Sequence, residues 1–456
     1  MNNYLTGVDF VLILLFVLLI LATGYSFSRK LPLAIRPYFV KGLLLKLVCG
    51  LGFAWVYVYY YGGGDTQMYF RGASAFYTAF FSEGRPFNAL WDDYLLLGGS
   101  EATLFTKRFA AVINLFSFNS FWACTLLFAA LSFIGLWLLF LSFYRLYPNL
   151  HKPLAIVTLF IPGVVFWSSG IMKDSLCMLF VGIIVYAVQN VFLINKQKIL
   201  SIALLLSGFY VLVYLKAYIA IAMLLAIAFY ALLSLKANLK SATAKVLVMP
   251  VATVIMGGIA VLMLNQIGAA FERYSLENLA ETAQTYQGYH ERISVAGRGG
   301  TNRTGSGYTL GDMDYSSPGA ILAKAPLAIN VTFFRPYVWE VSNPVMLLSA
   351  LESLAILLFT IQVIRKSGIG SFLKSIFAIK EVLFCFSFAL VFGFAVGFTS
   401  YNFGALVRYK APCVPFYLIG LVLINAMAAP KAQKHALRSR QVKRSAIQTP
   451  TRIQPS

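Results

Sequence analysis

The chain has 456 residues, 59% of them hydrophobic and only 12% charged, with a mean hydropathy of +0.76. Soluble domains carry charge on about a quarter of their residues, so this composition excludes one and points to a membrane protein. The formal net charge of +21 is spread over short loops between apolar runs, which argues against nucleic acid as a partner.

Eleven apolar runs reach or approach the length of about 18–20 residues that crosses a hydrocarbon core: 8–27, 42–61, 119–143, 153–170, 175–194, 198–214, 218–235, 246–266, 344–364, 382–400 and 411–429. The expected fold class is therefore an all-α polytopic membrane protein with about 11 transmembrane helices. The run 8–27 lacks a basic leader and a small-residue cleavage site, so it reads as an anchor rather than a signal peptide. Residues 1–41 form that span and a basic loop with Arg29, Lys30, Arg36 and Lys41. Residues 42–266 form the transmembrane core, 343–429 the C-terminal spans, and 430–456 a basic tail expected to be disordered.

Basic clusters recur in alternate loops: Arg145 and Lys152, then Lys196 and Lys198, then Lys236, Lys240 and Lys245, then Arg365, Lys366, Lys374 and Lys380. Lys- and Arg-rich loops stay cytoplasmic. The expected orientation places the N-terminus outside and the C-terminus inside. Nearly all carboxylates then fall outside, Glu381 being the clear cytoplasmic case.

Two outer loops are long. The first, 62–118, holds "YFRGASAFYTAFF" and "LFTKRFAAVINLF", whose apolar residues recur at helical spacing and predict interfacial helices. The second, 267–342, contains "GRGGTNRTGSGYTLGD", which is too glycine-rich to pack and reads as mobile. All five cysteines lie in or beside apolar runs, so no disulfide framework is implied. The histidines (His151, His290, His435) are scattered, which argues against zinc.

Four segments carry candidate chemistry. "YYYGGGDTQMYFRGA", Tyr59–Ala73, places Asp65 directly after three glycines and a span. The glycines free the backbone for close approach of a ligand, although a plain turn with a solvated Asp has the same pattern. "IPGVVFWSSGIMKDSLCMLF" interrupts an apolar run with Pro162 and Gly163, then sets Lys173 and Asp174 at the mouth of the next span. Adjacent residues do not share a helix face, so these two are expected to find different partners. "FFRPYVWEVSNPVMLLSALESLAILLF" brings Arg335 and Glu340 to the outer interface and Glu352 into a span, where a carboxylate needs a partner or a water-filled cavity. Its expected partners are Lys173, Arg408 and Lys410. "SYNFGALVRYKAPCVPFYLIG" opens the last span with Arg408 and Lys410, a pair suited to phosphate or to simple anchoring at the interface.

An outward carboxylate after a span, an outer loop of interfacial helices and the late segment "RYKAPCVPF" together resemble GT-C-type polytopic membrane glycosyltransferases. "FWSSGIMKDS" and "FFRPYVWE" also look like blocks of bacterial polysaccharide-assembly membrane proteins. The resemblance implies a bacterial inner membrane, with sugar transfer on its outer face from a polyprenyl-phosphate-linked donor to a glycan or lipid-linked acceptor, in contact with membrane lipids. By that resemblance Asp65 is the catalytic residue, while Lys173, Arg408, Lys410 and Arg335 bind the donor phosphate. Asp174, Glu340 and Glu352 support those cations, the loop 297–311 closes over the acceptor, and the scheme calls for no metal or other cofactor. Two features depart from the pattern: the additional span 8–27, and Thr66 where a second acid would follow Asp65. The related polysaccharide polymerases and ligases remain open on that account, as does a transporter or flippase of a lipid-linked anion.

Overall fold

The computed structural model describes residues 5–191, 198–238, 307–311 and 318–428. The run 246–266, most of the second outer loop and the basic tail lie outside the described residues. The described chain forms sixteen α-helices. They are α1 (Gly7–Ser28), α2 (Arg36–Trp55), α3 (Asp65–Phe81), α4 (Glu101–Phe116), α5 (Phe121–Leu146), α6 (His151–Leu159), α7 (Pro162–Trp167) and α8 (Lys173–Gln189). They continue with α9 (Lys198–Asn238), α10 (Pro318–Ala323), α11 (Ala325–Phe334), α12 (Pro344–Ser367), α13 (Ile369–Ala378), α14 (Lys380–Thr399), α15 (Phe403–Tyr409) and α16 (Val414–Met427).

Among the described residues six helices are long and apolar enough to cross a membrane, and α15 with α16, bent by 62°, makes a seventh. The protein is thus an all-α integral membrane protein, but eleven separate spans are not seen. Three local causes account for the difference outside 246–266. Pro162 lacks an amide donor and splits the run 153–170 into two short helices, α6 and α7. The helix in the run 175–194 ends at Gln189 and has 17 residues. The runs 198–214 and 218–235 are counted once because they form one continuous helix, α9, although its backbone leaves helical geometry at Lys216 (φ −155°, ψ 84°), where the gap between the two runs falls.

The packing of α9 shows what that break does. In the first arm Gly208 lies against Ile184 and Lys216 reaches Asp174, so this arm runs antiparallel to α8. In the second arm Tyr218 stacks on Phe392 at 5.5 Å, Tyr230 meets Phe384 at 6.0 Å and Lys380 Nζ donates to Ser234 Oγ at 3.5 Å. That arm runs antiparallel to α14. The ends of α8 and α14 farthest from Lys216 converge on the end of α5, through Arg145–Asn190 and Tyr147–Glu381. Lys216 therefore sits at the bend of a helical hairpin.

The bundle has two chemically distinct poles. Arg29, Arg36, Arg145, Lys366 and Lys380 sit at helix ends at one of them. At the other, α2 ends, α8 begins, and Asp9 of α1 accepts from Ser120 at the head of α5 (2.6 Å). Helices α3 and α4 form where the aromatic spacing in 62–118 predicts them, and their apolar faces are packed. Tyr69 and Phe76 are buried, Phe70 meets Phe121, Phe109 meets Phe128, and Phe105 stacks on Tyr214. Lys107 of α4 is buried and donates to three backbone carbonyls, those of Leu96 (2.8 Å), Leu97 (3.2 Å) and Gly98 (2.8 Å), pinning the loop before its own helix. Burial pushes its ammonium below the ordinary lysine range.

The described part of the second outer loop differs from the mobile segment expected of it. Tyr308 and Leu310 are buried, Gly307 bridges to Asn402, and Tyr308 donates to the Gly397 carbonyl at 2.8 Å. An aromatic ring that stacks on Tyr401 and packs on Phe403 anchors a stretch whose glycine content alone implies motion.

Candidate functional site

The site grows from the end of α2. A π turn over Val56–Tyr60 leads into Gly62, Gly63 and Gly64 (φ 68°, 158° and 142°), a conformation side chains rarely adopt. A Cβ on Gly64 would lie 2.8 Å from the Tyr57 ring, so the loop runs directly over that ring. Asp65 is then the first residue of the 17-residue α3, where its charge meets the positive end of the helix dipole.

Four chain segments meet at Asp65. Its Oδ2 lies 3.0 Å from Nη1 of Arg408, in the last turn of α15. Arg408 Nε lies 3.4 Å from Oδ2 of Asp174, and Asp174 Oδ1 accepts from Lys216. Asp174 and Lys216 are buried, Arg408 is mostly covered, and the Asp65 side chain is 42% exposed. The four charges form an alternating row from the interior to the surface: Lys216, Asp174, Arg408, Asp65. Lys173 stands beside the row, donating to Thr103 Oγ1 at 3.2 Å with its Nζ 5.9 Å from the Tyr69 ring centre. Burial pushes the Tyr69 phenol up, and the charges of Asp65 and Asp174 add to that, so Tyr69 stays a neutral donor. Among the described residues three cations of this group face two carboxylates, a balance that favours an anion.

Lys173 and Asp174 do find different partners, Thr103 and the pair Lys216 and Arg408, as neighbours that do not share a helix face must. Lys216 was not expected in this group. A single lysine inside the apolar run 198–235 was the available signal, and it marked only a break between two runs.

The remaining sequence candidates form a second group. Arg335 makes a forked pair with Glu340 and lies 5.2 Å from the Phe403 ring centre. Lys410 is buried and donates to Ser353 Oγ (3.0 Å) and to the Arg335 carbonyl (3.4 Å). Glu352 accepts from the Gly163 amide at 2.6 Å. A Cβ on Gly163 would come within 2.7 Å of that carboxylate, so glycine is what lets the carboxylate in. Two expectations are corrected. Of the three partners expected for Glu352, Lys410 is the one whose charge reaches it; Lys173 and Arg408 are engaged elsewhere, and the carboxylate also satisfies the amide that the Pro162 break frees. Lys410 points inward, to Ser353, the Arg335 carbonyl and the Glu352 charge, instead of standing beside Arg408. At the other end of α7, fully buried Lys46 of α2 donates to the Val165 carbonyl (3.0 Å) and Ser168 Oγ (2.6 Å).

Two clefts flank the glycine loop. One, of about 460 Å³, is lined by Tyr57, Tyr61, Trp167, Asn343, Asn402 and Arg408 among others. The other, of about 350 Å³, is lined by the glycines, Gln67, Met68, Arg71, Leu97–Gly99 and Lys107. Gly63 is in the wall of both. Both volumes fall in the range of about 300–1,000 Å³ typical of small-molecule sites. Compared with known protein families, with curated proteins and with solved structures, the chain matches none of them.

Proposed function

We propose that the chain is a glycosyltransferase of the outer membrane face that takes its sugar from a polyprenyl-phosphate-linked donor. The observation that carries this reading is the meeting of Asp65, Arg408 and the neighbours Lys173 and Asp174 from three segments, beside an aromatic cleft that contains Arg408. An aromatic and amide-lined wall suits a sugar face, and an arginine in that wall suits its phosphate.

In the reaction, the acceptor hydroxyl oxygen bonds to the anomeric carbon as the bond from that carbon to the phosphate oxygen breaks. The hydroxyl proton passes to the Asp65 carboxylate, and polyprenyl phosphate leaves with the bonding electrons. Arg408 and Lys173 offset the charge that develops on the leaving phosphate, with Asp174 and Lys216 fixing the position of Arg408. General-base help of this kind contributes about 10²–10⁴-fold.

The test is donor consumption by the purified protein in lipid nanodiscs, with a polyprenyl-phosphate sugar as probe. Saturable binding that Arg408→Ala abolishes is the expected result. A wild-type protein that neither binds nor consumes the lipid-linked sugar overturns the reading. Profiling surface glycans after deletion of the gene separates the polymerase alternative: a missing sugar favours the transferase, and a single-repeat product favours a polymerase.

A further inference from the structure

The proposed transfer uses the cleft that contains Arg408 and leaves the smaller one without a role. That smaller cleft lies across the glycine loop from the first. The partition between them at Gly63 is a bare backbone, since Gly62, Gly63 and Gly64 carry no side chains. The three residues take positive φ, so the chain turns here without thickening the wall. Asp65 follows the partition directly and its side chain is partly open.

The walls of the two clefts differ in origin. The larger is built from the ends of α2, α7, α12 and α15, with aromatic rings and Arg408. The smaller is built from 62–71, 97–99 and Lys107, all within the first outer loop as read from the sequence. Its polar groups are the Gln67 amide, the backbone of two glycine-rich stretches, and Arg71. Lys107 also lines it, but its ammonium is engaged by three carbonyls. Among its lining residues there is no carboxylate.

We infer that the smaller cleft is the acceptor subsite and takes a hydroxyl-rich saccharide that bears no cationic group. Backbone amides and carbonyls in a glycine-lined wall approach hydroxyls closely, and a wall with basic but no acidic side chains disfavours an aminosugar with a free ammonium. A saccharide seated there presents a hydroxyl across the glycine partition to an anomeric carbon in the larger cleft; Asp65 lines neither cleft but follows the partition in the chain and touches Arg408 of the larger one. The word acceptor rests on the proposed transfer reaction; occupation of the cleft by a saccharide does not.

Gly62→Asn tests the cleft with little risk to folding. Its φ of 68° is a left-handed value that asparagine tolerates, a Cβ there meets nothing within 4 Å, and Gly62 lines the smaller cleft but not the larger. Met68→Trp, at an exposed position in the same wall, is the second variant. Nanodisc protein is assayed in two ways. Saturation-transfer NMR against a panel of neutral, acidic and amino mono- to tetrasaccharides reads the cleft directly. Donor hydrolysis and donor-to-saccharide transfer read its role. The inference expects saturation of neutral or acidic saccharides in the wild type, lost at least tenfold in both variants, with donor hydrolysis within twofold of wild type and an acceptor KM raised at least tenfold. Saccharide saturation unchanged in both variants overturns it, as does preferential binding of the amino sugars or a parallel loss of donor hydrolysis. If the wild type ignores the lipid-linked sugar yet binds saccharides in a Gly62→Asn-sensitive way, the transfer reading fails while the saccharide cleft stands.

Discussion

Arg408 and Asp65, from opposite ends of the chain, meet at 3.0 Å at the mouth of the bundle. The contact is asymmetric: Arg408 is mostly covered, whereas the Asp65 side chain is 42% exposed. A charge pair of that kind is weakly stabilising in itself, so its position at a cleft matters more than its energy. Asp65→Asn keeps the shape and the helix start of α3. On the proposed transfer, it is expected to leave the melting temperature within a few degrees of wild type and donor binding intact, while turnover falls by about 10²–10⁴-fold. Single-turnover kinetics beside a donor-binding titration check this. Full turnover in Asp65→Asn removes Asp65 as the base.

Lys216 and Asp174 are both buried, so their pairing follows different rules. Removing one member of a buried pair strands the other and costs about 3–5 kcal/mol. Lys216→Met should therefore lower stability by at most that order, because Arg408 still lies 3.4 Å from Asp174. Asp174→Asn removes the carboxylate that Lys216→Met leaves with one fewer cation, so in the Lys216→Met background it should cost less than it does in the wild type. Tryptophan-fluorescence melting of the four proteins in one detergent gives the coupling. Strictly additive losses would show that the two residues do not act as a pair.

Much of this arrangement could be read from the sequence, and the rest failed for identifiable reasons. Hydropathy finds helices because a membrane helix satisfies its own backbone and must be apolar; α1, α2, α5, α12 and α14 follow their runs closely. Asp65, Lys173, Asp174 and Arg408 stand out because charge beside an apolar run is costly. Which of them meet depends on where helices bend, and hydropathy is blind to that. The gap between the runs 198–214 and 218–235 is where α9 turns back, but that its lysine reaches Asp174 depends on one residue's backbone angles. Lys410 looked like a partner of Arg408 from its place in the sequence. The bend between α15 and α16 sends it the other way, to Ser353.

The break between α6 and α7 depends on Glu352. Its carboxylate accepts from the Gly163 amide at 2.6 Å, and the glycine leaves the room for it. Glu352→Ala leaves that amide without its acceptor, a loss of about 1–3 kcal/mol. Gly163→Ala drives a methyl group against the same carboxylate and should destabilise by a similar amount of about 1–3 kcal/mol through overpacking. Because both act on one contact, Gly163→Ala should cost much less when Glu352 is already alanine. A thermal-melt cycle of these variants decides it, and an undiminished cost of Gly163→Ala in that background would place the clash elsewhere.

Lys46 leads to the opposite expectation. It is fully buried in α2, and among the described residues no carboxylate pairs with it. Its ammonium donates to the Val165 carbonyl and Ser168 Oγ, a charge-assisted contribution of about 1.5–3 kcal/mol. Burying the charge costs several kcal/mol per ion even after relaxation. Its partners would not be orphaned by its loss, since Val165 O also accepts from Ser169 Oγ at 2.6 Å and Ser168 Oγ donates to Val164 O at 2.5 Å. The desolvation cost therefore outweighs the lost bonds, and Lys46→Met, of similar length, should hold or raise the melting temperature. A fall of several degrees would show instead that Lys46 anchors the end of α7. If the variant is stable but loses donor turnover, the charge is kept for the reaction, acting through α7 and its Trp167, which lines the larger cleft.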